Sequence, residues 1–362
     1  MDATSLRAAF PVLERVAYLN AGTCGPVPAA ALDAAVEQLR REAEEGRAGM
    51  AHWERRRELA TGLRAAYAAR LGCAPDDIAL TSSTTDGVTI ALGGLDLGPG
   101  DEVLTSDTEH PGVVGPLQAL RDLRGVTVRT VPLAQLASAA GPATRAVACS
   151  HVSWLTGEVA PVADLAALDV PVVLDGAQGV GAVPVDVAGW GSVVYAGSGQ
   201  KWLCGPEGLG MLYIAPELQE RLGVIRRWYG SYEDPNAGMD AVLAPGARRF
   251  DPPANHGSAL LVHALAAQDV LGDFGWDAVY ERAATLAAAL AQRLAADGHE
   301  VMPRGRTTLV AWRDTDMEAT AKRLGAEGVA VRHLPGRDLV RASVGAWNDE
   351  SDVERLLAAL AR

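Results

Sequence analysis

Between residues 78 and 215 the chain repeats one pattern, a short run rich in β-branched residues followed by a helical stretch. The runs are IALTS (78–82), EVLTS (102–106), VTVRTV (126–131), RAVACSHVS (145–153), PVVLD (171–175), SVVYAG (192–197) and GMLYIA (210–215). Strands separated by helices imply crossover connections, and so a mainly parallel seven-stranded sheet covered on both faces. Such a sheet also limits where function can lie, because its ligands bind outside the carboxyl ends of the strands. After Gly257 the character changes to long alanine-rich helical patterns, then TTLVAWR, a helix, GVAVRHL, LVRASV and a terminal helix. This reads as a smaller α+β domain. The expected organisation is an N-terminal segment (1–24), a large α/β domain (25–257) and a small α+β C-terminal domain (258–362). The stretch 226–257, rich in Gly, Pro and Asn, is expected to be irregular and to suit a loop that lines a site.

Bulk properties exclude several functions. Acidic residues exceed basic ones by 45 to 32, the net charge is −13, and no Lys/Arg run tracks along any segment, so nucleic acid is not an expected partner. No apolar stretch is long enough to cross a bilayer, and a cytoplasmic protein is expected. Cys24, Cys73, Cys149 and Cys204 lack CxxC spacing, which suggests neither a metal site nor a disulfide framework.

Polar groups gather at the predicted strand ends. IALTS leads into SSTTDGV, where Ser83, Thr84 and Thr85 open a helix whose backbone N–H groups and dipole favour an anion such as phosphate. EVLTS leads to His110 before a Pro-Gly turn. PVVLD ends in Asp175, with Gln178 close behind, and an acid closing so apolar a strand needs a cation or donors. SVVYAGSGQK then delivers Ser198 and Lys201 in a loop of small residues, where close approach is possible and a partly desolvated amine loses its proton readily. One ligand answers to an anion site, a ring cation and an aldehyde: pyridoxal 5′-phosphate, with its phosphate on the hydroxyl loop, its pyridinium nitrogen on Asp175, its ring hydroxyl near Gln178 and its aldehyde on Lys201.

The ordered set AYLNAGTCGP (17–26), TSSTTDGV, TEHPG, SHVSWLTGEVAPV, VLDGAQGVGAVPVDV, GSGQKWLCGPEGLG and VRASVGAWN (340–348) resembles the class V aminotransferases of fold type I, a family that includes cysteine desulfurases, isopenicillin epimerase-like proteins and carbon–sulfur lyases. The resemblance implies Lys201 as the Schiff-base lysine, Asp175 at the ring nitrogen and His110 stacked on the ring. It also implies Gln178 near the ring oxygen, and Thr84, Thr85, Ser198 and Gln200 at the phosphate. Arg341 is implied as the grip on a substrate α-carboxylate, with Asn20 of the N-terminal segment also on the substrate side. A homodimer with sites near the interface is implied as well.

Departures from the family pattern carry expectations of their own. Gln200 stands where desulfurases usually have histidine before the lysine, and its amide can still donate to phosphate. Trp154 stands where the family often has asparagine on the cofactor, so an indole is expected to shape the pocket. RRFDPPANHGS lacks the usual Gly-Thr pair that reaches a neighbouring subunit's phosphate, leaving Asn255, His256 or Ser258 as replacements. VRHLPGRDLVRAS lacks the mobile cysteine of persulfide-forming desulfurases, and Cys24 shows no cationic neighbour in sequence that would make it a good thiolate. The favoured reading is α,β-elimination on a cysteine-derived amino acid. Transamination is the alternative, and a cofactor-holding regulatory protein is disfavoured by the intact Lys201, Asp175 and Arg341.

Overall fold

The computed structural model of the protein describes residues 1–252 and 256–362, so Asn255 lies outside the described residues. Strands are numbered in chain order, beginning with the short β1 (Ala17–Tyr18). The next seven, β2 (Ile78–Thr81), β3 (Glu102–Ser106), β4 (Thr127–Val131), β5 (Thr144–Ser150), β6 (Val172–Asp175), β7 (Val193–Ser198) and β8 (Gly210–Ile214), form one sheet in the order β2-β8-β7-β6-β5-β3-β4. β8 runs antiparallel to both neighbours, and every other pair is parallel. Because β8 reverses twice, β2 points the same way as β3, β5, β6 and β7. With β4, which is parallel to β3, six carboxyl ends therefore face one side of the sheet.

The strand sequences explain their place. β6, β7 and β8 are buried at every position, as expected where helices cover both faces of a sheet. Full burial of each Val, Leu or Ile side chain stabilises the fold by about 1.5–3 kcal/mol. Six of the seven expected runs form strands within a residue at either end. RAVACSHVS is the exception, since β5 stops at Ser150 and not at Ser153. From His151 the chain leaves the sheet and doubles back through a Val152–Val159 bridge, with Gly157 at φ 83°, a left-handed conformation that suits glycine. This turn carries Trp154 away from the sheet and toward the C-terminal part of the chain, where Leu155 packs with Leu334 and Leu339.

The remaining strands belong to the C-terminal part. β11 (Arg332–Leu334), β12 (Leu339–Ser343) and β9 (Leu309–Arg313) make an antiparallel sheet in that order, while β10 (Val329–Ala330) pairs in parallel with β1. The run GVAVRHL thus divides at Val331 into two strands on different partners. Asn20 continues this docking by bridging to Ser343, so the N-terminal segment lies against β12. The helix Ser258–Phe274 packs Leu261 and Ala264 into the core of the large sheet, and Ala267 and Leu271 against Leu6 and Phe10.

Candidate active site

The strand ends open into a cavity of about 210 Å³. At the end of β2, Ser83 caps the helix Thr84–Gly94, its side chain accepting from the Asp86 N–H, as Ser does at many helix starts. Thr84 and Thr85 follow in the first turn and line the cavity. The Thr84 hydroxyl is buried and has no hydrogen-bond partner among the described residues, and the same is true of the Ser198 hydroxyl at the end of β7 and of the Gln200 carbonyl oxygen. Buried polar groups are nearly always satisfied. Orphaned hydroxyls beside a helix N-terminus fit a missing phosphate, whose oxygens would accept from them.

Opposite lies Asp175, which closes β6 and is 5% exposed. One of its oxygens accepts from the Ala177 N–H at 2.9 Å. Lys201 is largely enclosed, and its ammonium is lowered to about 8, first by burial and then by Arg341 and Arg332, with Asp175 opposing. A lysine so poised has a sizeable neutral fraction near neutral pH, which addition to an aldehyde requires. Gln178 donates to the Gly22 carbonyl at 2.8 Å, and its Oε1 accepts from the Trp202 indole at 3.0 Å. An indole N–H can only donate, so the amide orientation is determined, and one Gln178 N–H is left for a ligand.

His110 caps the helix Pro111–Arg124, with Nδ1 accepting from the Gly112 N–H at 3.0 Å. The proton of the neutral ring is therefore on Nε2. Burial, more than any other influence, pushes this imidazole below its usual range, and Lys201, Arg332 and Arg341 reinforce the effect against Asp175. Trp154 meets His110 edge to face, with centroids 5.1 Å apart, and its indole donates to the Thr108 carbonyl at 3.1 Å.

The remaining wall is cationic. Arg341 on β12 is 1% exposed, donates to the Trp154 carbonyl and leaves its Nε without a partner among the described residues. Burial, then Arg332, lowers its guanidinium to about 9. Arg332 on β11 is in register with Arg341, lines the same cavity and donates to Thr23 Oγ1 at 3.2 Å. Thr23 in turn donates to Asn20 Oδ1 at 2.8 Å. Among the described residues neither arginine forms an ion pair with a carboxylate. Gly22 lies so close that a Cβ there would come within 2.8 Å of Arg341 Nη2 and 2.7 Å of Ser343 Oγ, so the backbone reaches the site only without a side chain.

Of the residues singled out in the sequence, Lys201, His110, Asp175, Thr84, Thr85, Gln178, Ser198, Gln200, Trp154 and Arg341 all line this cavity, whereas Asn20 stands behind Thr23 and not on the wall. Arg332, Gly22 and Thr23 were missed. The signal for Arg332 was available: PGRD between two apolar runs suggests a hairpin, and pairing Leu334 with Leu339 sets 332 opposite 341. Segment 226–257 departs from expectation. Its described residues do not line the strand-end cavity; Trp228, Tyr229 and Arg248 instead wall a larger cleft of about 840 Å³ along the helix Met50–Leu71, which holds none of the strand-end residues. Cys24 needs a second correction. Lys201 and Arg332 do act on its thiol, but burial and a hydrogen bond to Glu207 outweigh them and push the thiol up. Cys204 is buried, with φ 53°, in a packing role.

Comparison with known proteins bears on this geometry. Residues 17–356 match the family model for aminotransferase class-V. The chain is 29% identical to an isopenicillin N epimerase from Amycolatopsis lactamdurans, over 95% of this chain and 94% of the relative. It is 30% identical to a probable cysteine desulfurase from Pseudomonas aeruginosa, over 98% and 97%. Among solved structures it is similar to C-DES in two forms, both 30% identical. One is a lysine-to-alanine mutant with glycine covalently linked to its pyridoxal-phosphate cofactor (TM-score 0.93, 98% of each chain). The other is the cystine C–S lyase in complex with its reaction product cysteine persulfide (TM-score 0.91, 97% of this chain and 99% of that one). A strand-end cavity with orphaned phosphate-type donors, a poised lysine and a carboxylate fits the cofactor those proteins carry. The chain belongs to the class-V aminotransferase family and is a fold type I pyridoxal-phosphate enzyme related to cysteine desulfurases and carbon–sulfur lyases.

Proposed function

We propose that this enzyme is a carbon–sulfur lyase, acting by α,β-elimination on a cysteine-derived amino acid whose far end carries a second carboxylate, as a cystine-like disulfide does. The observation that carries this reading is the pair Arg332 and Arg341, two guanidinium groups in register on one cavity wall that pair with no carboxylate among the described residues. Like charges held together in a partly desolvated site are costly until anions arrive. One α-carboxylate satisfies Arg341, and a distal carboxylate satisfies Arg332. The similarity to a cystine C–S lyase supports the same substrate class.

When bound, pyridoxal phosphate supplies an electron sink conjugated to the substrate Cα. The chain's own residues then have distinct tasks. Lys201 would hold the aldehyde, and its amine in the neutral form is suited to take a proton at the substrate Cα. Asp175 would hold a proton at the ring nitrogen, His110 would face the ring, and Gln178 would offer its free N–H to the ring oxygen. Thr84, Thr85, Ser198 and Gln200 would hold the phosphate. Trp154 narrows the pocket beside His110, and Asn20 acts through Thr23 to orient Arg332. Breaking the Cβ–S bond releases a thiol, or a persulfide from a disulfide substrate, and uptake of water yields pyruvate and ammonia. No cysteine of this chain is assigned to sulfur transfer: β11 and β12 are joined by the four residues PGRD, and the Cys24 thiol is pushed up. A homodimer is part of the same reading, supported by Met50, Trp53 and Tyr229, which are large, exposed and clustered at the wider cleft.

The test is to incubate the purified holoenzyme with L-cystine, S-substituted cysteines and simple amino acids, measuring pyruvate and ammonia against build-up of the amine form of the cofactor. Pyruvate with ammonia from cystine is expected. Accumulated amine form with keto acid would assign transamination instead. Lys201→Ala is expected to lose the visible absorbance of the lysine-bound cofactor and to lower turnover on the order of 10³-fold or more. Persulfide on Cys24 by mass spectrometry after L-cysteine treatment would restore the desulfurase reading, and sedimentation as an active monomer would remove the dimer.

A further inference from the structure

Glu109, one residue before His110, is a buried carboxylate that forms no ion pair among the described residues. It is 6% exposed. Its Oε1 accepts from the Ser106 hydroxyl and from the Ser150 N–H at 3.0 Å, and its Oε2 accepts from the same N–H at 2.9 Å and from the Ser150 hydroxyl at 2.7 Å. Burial, the largest influence, and Asp175 push the Glu109 carboxyl above its usual range, while every hydrogen bond it makes is a donor aimed into the carboxylate and favours the anionic form. Burying a charge without a counter-ion is costly, and a neutral side chain would tie the ends of β3 and β5 together at lower cost.

The sheet register locates this charge. Ser150 ends β5 in register with Asp175 at the end of β6, so the carboxylate seated on the Ser150 N–H stands behind Asp175, and the two repel. We propose that Glu109 is a positioning residue for the ring site: clamped between Ser106 and Ser150, it holds the turn that presents His110 and sets a second negative charge behind Asp175. That charge opposes the cations of the cavity, Lys201, Arg332 and Arg341, and favours protons on the cofactor's ring nitrogen and on the nitrogen it shares with Lys201. The ionisable groups facing Glu109 are Asp175 from β6 and Cys149 from β5, with His110 next to it in the chain.

The experiment reads the resting holoenzyme, so its outcome does not depend on which amino acid is the substrate. The visible absorbance band of the lysine-bound cofactor is titrated with pH in the wild type and in Glu109→Gln, which keeps the shape and removes the charge. The midpoint is expected to fall by about one pH unit, the size of effect that a single charge exerts across a partly desolvated site. Ser106→Ala, a smaller change that takes one donor from the carboxylate and so favours its neutral form, is expected to move the midpoint the same way by less. A midpoint that stays in place in both variants, or moves up, overturns the proposal. If Glu109→Gln fails to fold, the direction of the Ser106→Ala shift decides alone.

Discussion

The two walls of the cavity are built differently. The ring-and-phosphate wall comes from one sheet: Thr84 and His110 follow the carboxyl ends of β2 and β3, and Asp175 and Ser198 close β6 and β7. The substrate wall is gathered from Gly22 and Thr23, from Trp154 beyond β5, and from Arg332 and Arg341 on the β11–β12 hairpin. Its hydrogen bonds join these distant pieces, Arg332 to Thr23, Arg341 to the Trp154 carbonyl and Gln178 to the Gly22 carbonyl. On the proposed assignment, sheet topology preforms the cofactor side, while the substrate side depends on segments docking. Such a division lets specificity change without disturbing the chemistry shared across a family.

The sharpest break between the walls should come from Asp175. Replacing it with Asn removes the charge that holds the ring-nitrogen proton, and turnover is expected to fall on the order of 10²–10⁴-fold while the cofactor stays bound. Full activity in Asp175→Asn would mean the ring is oriented otherwise. Arg341→Ala tests the opposite wall. Losing a charged hydrogen-bonding partner of about 1.5–3 kcal/mol should weaken amino acids of every kind, by roughly 10- to 150-fold, with the cofactor band unchanged. If cofactor is lost in parallel, Arg341 supports the fold and the division between the walls fails.

Arg332 refines the comparison within the substrate wall. In spectral titrations, the wild type should bind S-carboxymethyl-L-cysteine about tenfold more tightly than its neutral isostere S-carbamoylmethyl-L-cysteine, and Arg332→Gln should erase that preference. Equal weakening of both ligands would put Arg332 on the α-carboxylate with Arg341. The smallest effect concerns Lys201 in the cofactor-free protein. Its amine, lowered to about 8, is reactive when neutral, so the rate of reconstitution with pyridoxal phosphate should rise roughly tenfold from pH 7 to pH 9 and then level off. A rate still climbing steeply toward pH 10.5 would show that the cavity does not depress this lysine.

Local chemistry made one wall readable and left the other obscure. β-Branched runs, a Ser/Thr helix start, an acid closing an apolar strand and a lysine among small residues are all patterns within a few neighbours, and they follow from strand periodicity and helix capping. That is why the seven strands, and the placing of Lys201, Asp175, Thr84 and Ser198 at their ends, could be read from the chain alone. Trp154 was noticed as a substitution, but its edge-on contact with His110 depends on β5 ending at Ser150, where the backbone turns before the β-branched pattern stops.

The amino-acid sequence by itself determined the parallel sheet, the direction in which its strand ends point and the cofactor chemistry those ends can hold, because each is written in short-range periodicity. Only the tertiary structure decided that Arg332 faces Arg341, that Gly22 must be bare to let the N-terminal segment in, that Trp202 orients Gln178, and that segment 226–257 walls a separate cleft. Those are matters of register and packing between residues up to hundreds of positions apart. The free energy that settles them comes from burial and hydrogen bonding across the assembled fold, which no local propensity records.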